Sequence, residues 1–287
     1  FLKLNPNMAV ITSIDEDHLD VYQNKDSIME AFQEFVIRLP DNSPLVYHKD
    51  LSLNIPESKN LQTYTYSLQG DADFYTRNLE VIRGKYRFDL VTPGGTLNQF
   101  TFPIPGLLNA ENAVAALAAA YLQKVDREYL FNNLSSFEGI QRRFDIQFHN
   151  QDVVYIDDYA HHPSEISYVV RSIRNFYPER YILGVFQPHL YSRTQFFAAR
   201  FAESLELLDE VILLDIYPAR EKPIKGVNSE IILKYITQIP ATLCAIEDLP
   251  DMLRKKKLEV LLTIGAGNID MMVKPIRDML KKRYSGT

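Results

Sequence analysis

From about residue 153 onward, hydrophobic and polar positions keep one rhythm. Short apolar runs at 153–156, 182–186, 211–215, 242–246 and 260–264 alternate with stretches of helical spacing at 165–176, 195–208, 229–236, 250–256 and 270–283. Runs of four or five apolar residues suit strands buried on both faces, and their alternation with helices builds a parallel sheet covered on both sides. The pattern predicts a doubly wound, mostly parallel, Rossmann-like α/β unit over 139–287.

The first half, 1–138, has a different grammar. Residues 9–14 read as a buried strand, 27–38 as an amphipathic helix stopped by Pro40, and 73–102 as β-structure turning at Gly84 and at Gly94-Gly95. An alanine-rich helix follows, with Asn109 as its expected N-cap. Its small side chains allow close approach to a sheet or a ligand. The boundary is expected near 135–141, where the pattern changes.

Composition narrows the classes. The 287 residues are 46% hydrophobic and 24% charged, a globular makeup, and the formal charge of −6 opposes binding to nucleic acid. The one basic run, Arg254-Lys255-Lys256-Lys257, reads as a solvated helix end. Cys244 is the only cysteine and falls in an apolar segment that reads as a buried strand, which favours a reducing, cytoplasmic setting. No apolar stretch approaches the ~20 residues of a membrane helix, and the first residues lack signal-peptide architecture.

The candidate chemistry gathers at strand ends. Asp157-Asp158-Tyr159-Ala160-His161-His162-Pro163-Ser164-Glu165 packs acids and imidazoles where a strand hands over to a helix, the edge where open α/β sheets bind ligands. Phe186-Gln187-Pro188-His189-Leu190-Tyr191-Ser192-Arg193-Thr194 ends the next strand. Pairing of the two strands would bring Asp158, His161, His189 and Arg193 to one crevice, where a planar guanidinium suits a carboxylate or phosphate. Gly265-Ala266-Gly267 follows the last strand, a place where a ligand can approach backbone amides. Asp15-Glu16-Asp17-His18-Leu19-Asp20 reads either as a divalent-cation loop or as a solvated acidic turn. Arg142-Arg143-Phe144-Asp145 suits either a phosphate or an interdomain ion pair.

Together these motifs resemble the ATP-dependent Mur ligases of peptidoglycan synthesis, along nearly the whole chain. The resemblance rests on Asp17-His18-Leu19-Asp20, on Asn109-Ala110-Glu111-Asn112, on Arg142-Arg143-Phe144-Asp145 and on the turn from Asp158 to Pro163. Within the family, His161-His162-Pro163, the 186–194 motif, Asp215-Ile216-Tyr217-Pro218-Ala219-Arg220-Glu221 and Gly265-Ala266-Gly267 are most similar to members that join L-alanine to UDP-N-acetylmuramate. Members that recycle murein tripeptide share the scaffold.

The resemblance implies that 1–138 is the carboxyl-terminal part of an α/β central, ATP-binding domain and 139–287 the family's C-terminal domain. It implies that ATP turns the muramyl carboxylate into an acyl phosphate, which the amine of L-alanine then attacks. His18 is implied as a Mg²⁺ ligand, and Asn112, Arg143 and Asp158 as nucleotide contacts. His161, His189 and Arg193 are the implied catalytic set, with Tyr159 and Arg193 binding the amino acid. Leu190 stands where some members have arginine, so the carboxylate rests on Arg193. No G-x-x-x-x-G-K-[ST] occurs, and the one Gly-Lys pair, Gly84-Lys85, lies in a β-rich stretch. The resemblance therefore implies that a UDP-sugar domain, the phosphate loop and an acidic metal ligand precede Phe1 in the same protein, and that this chain alone does not ligate. Two other classes fit the residues: a hydrolase holding Zn²⁺ or Mn²⁺ through Asp158, His161, His162 and His189, and a non-catalytic nucleotide-binding module.

Overall fold

The computed structural model describes residues 1–15, 22 and 24–284. Two compact units divide the chain, Phe1–Glu138 and Gly139–Thr287.

In the first unit, β1 (Ala9–Ile11) leads to α1 (Lys25–Ile37), β2 (Pro44–His48) and β3 (Gln62–Tyr66), and the strands form a parallel sheet in the order β1-β2-β3. Helix α1 starts at Lys25 because Asn24 caps it, accepting the Ser27 N–H at 2.9 Å through Oδ1. A meander of β4 (Tyr75–Ile82), β5 (Lys85–Thr92) and β6 (Gly95–Phe102) follows, turning at the two expected glycine sites. Then come α2 (Leu107–Leu122) and α3 (Arg127–Ser135).

Helix α2 begins three residues earlier than Asn109 as N-cap requires. The cap is Gly106, whose φ of 101° is costly for any residue with a Cβ, and Asn109 lies inside the first turn, donating from Nδ2 to the Pro105 carbonyl at 2.6 Å. The small residues act as expected: Ala110, Ala113, Val114 and Ala118 are buried, and the helix lies close on β2, β3 and β5.

The second unit runs β7 (Asp145–His149), β8 (Val154–Asp158), α4 (Pro163–Phe176), β9 (Ile182–Phe186), α5 (Tyr191–Leu205), β10 (Glu210–Leu214), α6 (Glu230–Leu233), β11 (Ala241–Cys244), α7 (Leu249–Arg254), β12 (Val260–Ile264) and α8 (Val273–Tyr284). One six-stranded sheet has the order β11-β10-β9-β12-β8-β7, parallel except for β7. Strands β8, β9, β10 and β12 are buried at every position, as their apolar runs require. On one face Tyr155, Leu183, Val185, Ile212 and Leu261 pack with Leu249, Leu253, Ile276 and Leu280 of α7 and α8. On the other, Phe186 meets Phe201 of α5, with ring centroids 5.2 Å apart, and α5 packs on α4. The unit is thus doubly wound.

Two expectations change. Strand β11 is an edge strand: Thr242 and Leu243 are exposed and only Cys244 is buried, so the segment is half-covered rather than a buried strand. Strands β8 and β9 do not pair, because β12 returns between them.

Candidate functional site

The inserted β12 places the crevice of the second unit at the carboxyl ends of three adjacent parallel strands, where connections leave to different sides of the sheet. The turns after β8 and β9 still meet across it. The rings of His161 and His189 lie 6.0 Å apart at an interplanar angle of 67°, and Tyr159 meets His161 edge-on at 5.3 Å.

Each side chain is held from beneath. Asp158, only 4% exposed, accepts the Phe144 N–H at 2.7 Å on Oδ2 and the Ala160 N–H at 2.8 Å on Oδ1. Burial raises its pKa to about 6, against the pull of those two bonds and of Arg143. Both oxygens are occupied within the unit, so Asp158 shapes the turn rather than facing outward. Phe144 has a φ of 50°, and this bond holds its strained backbone in place.

Asp157 is buried as well. Arg142 donates to its Oδ2 from Nε at 3.1 Å and to the Gly265 carbonyl from Nη2 at 2.5 Å, while Thr263 Oγ1 donates to Oδ1 at 2.6 Å. Arg142 is therefore consumed inside its own unit, and neither a phosphate nor an interdomain partner is needed to explain it. Arg143 differs: its side chain is 45% exposed, and it reaches Glu165 at 3.8 Å. The two guanidinium groups lie over the Tyr159 ring, at 5.1 Å for Arg142 and 5.4 Å for Arg143.

The β9 side is stitched to the loop after β10. Leu190 donates its N–H to the Tyr217 carbonyl at 3.0 Å, Tyr217 returns its own to Pro188 at 2.8 Å, and the His189 ring stacks on Tyr217 at 5.8 Å. Leu190 has a φ of 69°, which sends the chain sharply from the strand end into α5 and leaves Arg193 on its first turn. Burial, with Arg193 and His161 nearby, lowers the His189 pKa to about 4, so its ring is neutral at pH 7. Its Nδ1 is buried without a hydrogen-bond partner among the described residues.

His162 does not join this group. Its Nδ1 lies 2.7 Å from Ser164 Oγ and its ring packs edge-on against Phe197 at 4.9 Å. Among the described residues, no three His, Cys, Asp or Glu side chains are grouped to hold a metal ion. The histidine-rich hydrolase reading therefore has no ligand set here. The glycine turn also has an internal cause: a Cβ at Gly265 would lie 2.7 Å from the Gln187 carbonyl oxygen, and one at Gly267 would lie 2.4 Å from Gln187 Oε1. Gln187 in turn clamps this turn through Asn268 at 2.7 Å and the Ile269 N–H at 2.9 Å.

In the first unit, Glu111 of the Asn109–Asn112 motif turns inward. Its Oε1 lies 3.1 Å from His48 Nε2 and accepts the Leu68 N–H at 3.3 Å, while Asn112 is exposed on α2. His18 and the 16–20 part of its loop lie outside the described residues.

Sequence reasoning undervalued three residues. Glu165 was legible only as an acid favoured in the first turn of a helix. Arg142 and Tyr217 were legible only as members of longer motifs, since the role of the first depends on a buried partner and that of the second on a neighbouring strand end.

Comparison with known proteins adds lineage. Residues 1–120 match the Mur ligase middle domain and residues 142–267 the glutamate ligase domain of Mur ligases. The chain is 44% identical over 280 residues to the UDP-N-acetylmuramate--L-alanine ligase of Parabacteroides distasonis and 42% identical over 281 residues to that of Phocaeicola vulgatus. Each match covers 98% of this chain and 61% of the relative, so the chain spans about three-fifths of the length of these curated relatives. Among solved structures, the UDP-N-acetylmuramate-alanine ligase of Thermotoga maritima superposes with a TM-score of 0.78 at 22% identity, covering 98% of this chain and 61% of that one. A MurF ligase from Thermotoga maritima in complex with ADP gives 0.75 at 19% identity, covering 97% and 63%. These two likenesses establish the fold.

Proposed function

The chain belongs to the Mur ligase family, and we propose that the protein containing it joins L-alanine to the carboxylate of UDP-N-acetylmuramate at the expense of ATP, in cytoplasmic synthesis of peptidoglycan precursors. The sequence identity to ligases of that name supports the substrates, and the juxtaposition of His161 and His189 across β12 carries the reading structurally. Among the described residues, no helix is long and apolar enough to cross a membrane.

ATP supplies the activation of the muramyl carboxylate as an acyl phosphate, and Mg²⁺ offsets the charge on its phosphates. Asn112 and Arg143 fit a nucleotide by their exposure, the one offering an amide and the other a half-exposed guanidinium; Asp158 contributes by shaping the Phe144 turn. His18 is proposed as a Mg²⁺ ligand. At the amino-acid end, Tyr159 and Arg193 bind, with the planar fork of Arg193 taking the alanine carboxylate. The lowered pKa of His189 keeps it neutral, so it is available to an ammonium group without repelling it.

The test is phosphate release by the full-length protein with UDP-N-acetylmuramate, Mg-ATP and single amino acids. Release dependent on both L-alanine and the muramyl substrate is expected. Release that requires a murein tripeptide instead would move the protein to the recycling branch of the family.

A further inference from the structure

Four groups of the crevice converge on one carboxylate that the mechanism above does not use. Glu165 Oε2 accepts the backbone N–H of His161 at 2.9 Å and of His162 at 3.2 Å, and lies 3.4 Å from His161 Nδ1. Its Oε1 faces Arg143 at 3.8 Å, and Arg143 lies over Tyr159. A helix needs an acceptor for its first N–H groups, and the acid three residues beyond His162 supplies one. Its approach to the imidazole exceeds what capping requires.

The same geometry decides the state of His161. Its Nδ1 lies 3.0 Å from the Tyr159 carbonyl oxygen. A carbonyl can only accept, so Nδ1 carries the proton and, in the neutral ring, Nε2 holds the lone pair. Glu165 Oε2, 3.4 Å from the same nitrogen, is likewise only an acceptor, and its charge faces the ring edge opposite Nε2.

On the reading that the protein is an amino-acid ligase, we propose that Glu165 is a positioning residue, holding His161 as its Nδ1–H tautomer so that Nε2 takes the proton from the incoming amino acid's ammonium. The step balances. The N–H bond of the ammonium breaks, its proton passes to Nε2, and the freed nitrogen pair bonds to the acyl carbon. The bond from that carbon to the phosphate oxygen then breaks, its electrons leave with phosphate, and the amine's second proton departs with the phosphate.

The groups facing the ring fit this use. Glu165 and Tyr159 come from its own turn, Arg143 reaches Glu165 from the segment before β7, and Asp158 lies beneath. From the β9 side comes His189, with Arg193, Arg220 and Glu221 acting on it. His189 is uncharged at neutral pH and leaves room for an ammonium that two imidazolium rings would repel.

Two measurements test the proposal. In the full-length protein, kcat/KM for L-alanine is followed against pH for the wild type and for Glu165→Gln, which keeps an acceptor oxygen and loses the charge. The acidic limb is expected to move to lower pH, because the negative charge 3.4 Å from the ring is lost, and kcat/KM to fall roughly tenfold, with KM for ATP unchanged. A capping role alone would lower activity without moving the limb, and an unmoved limb overturns the proposal. Separately, ¹⁵N spectra of the 287-residue chain with labelled histidine, assigned with His161→Gln, should show neutral His161 protonated at Nδ1. A proton on Nε2 overturns the tautomer lock. A wild type that releases no alanine-dependent phosphate removes the base role together with the ligase reading, and the spectra then decide the Glu165–His161 geometry by themselves.

Discussion

Arg142 donates to Asp157 through Nε at 3.1 Å, and the acceptor is almost fully enclosed by protein. Burial raises the pKa of Asp157, and Thr263 and Arg142 oppose the rise by stabilising the charged form. Removing only the arginine strands a buried carboxylate. Arg142→Met is expected to cost about 3 kcal/mol in urea unfolding. Adding Asp157→Asn should recover part of the loss, and strictly additive costs would show that the pair is not coupled.

The pH response of His189 follows from its lowered pKa. The unfolded ring titrates near its usual 6.5 and the folded one at about 4, so between these values the unfolded chain binds the extra proton. Stability from this group is complete above about 6.5 and is lost as pH falls toward 4. Asp158 acts oppositely: its folded pKa of about 6 lies above the unfolded value of 3.8, so this carboxyl weakens folding as pH rises through that window. Unfolding free energies of wild type minus His189→Gln should therefore rise from pH 4 to 6.5, and a flat difference would contradict the buried, neutral ring.

Gly267→Ala should destabilise the second unit by about 2 kcal/mol. The added Cβ would lie 2.4 Å from Gln187 Oε1 and 2.6 Å from Tyr217 Cβ, so the Gln187 clamp must shift. The comparison is Gly84→Ala, where nothing lies within 4 Å and only the φ of 75° opposes alanine. Thermal unfolding that ranks Gly267→Ala as the milder change would deny the clamp its role.

Arg193→Lys in the full-length protein is expected to raise KM for L-alanine tenfold or more, on the order of 1.4 kcal/mol, because a point charge cannot reproduce a two-pronged contact. KM for ATP should hold. An unchanged alanine KM would take Arg193 out of carboxylate binding.

His18→Ala should raise the Mg²⁺ concentration needed for half-maximal rate, as loss of one inner ligand weakens the metal. A magnesium titration that superimposes on the wild type would remove His18 from metal binding.

Much of this was legible along the chain. Runs such as 182–186 and 260–264 are apolar at every position because both faces of their strands are covered, and burial of that kind is written directly into composition. The motifs at strand ends were equally readable, since strand-to-helix turns sit at one edge of a parallel sheet whatever the strand order. By itself, then, the sequence determined the doubly wound unit, the edge on which His161 and His189 lie, and the family.

Strand order, caps and proton positions were decided only in three dimensions. No local pattern says that β12 slots between β8 and β9, because that choice depends on which apolar strands fit beside one another. Gly106, not Asn109, caps α2 because the approach of the chain demands a positive φ. Arg142 and Arg143 are adjacent and chemically identical, yet one is spent on buried Asp157 and the other reaches Glu165 from the surface. A charge takes its role from the dielectric and the partners around it, and those exist only once distant segments have packed.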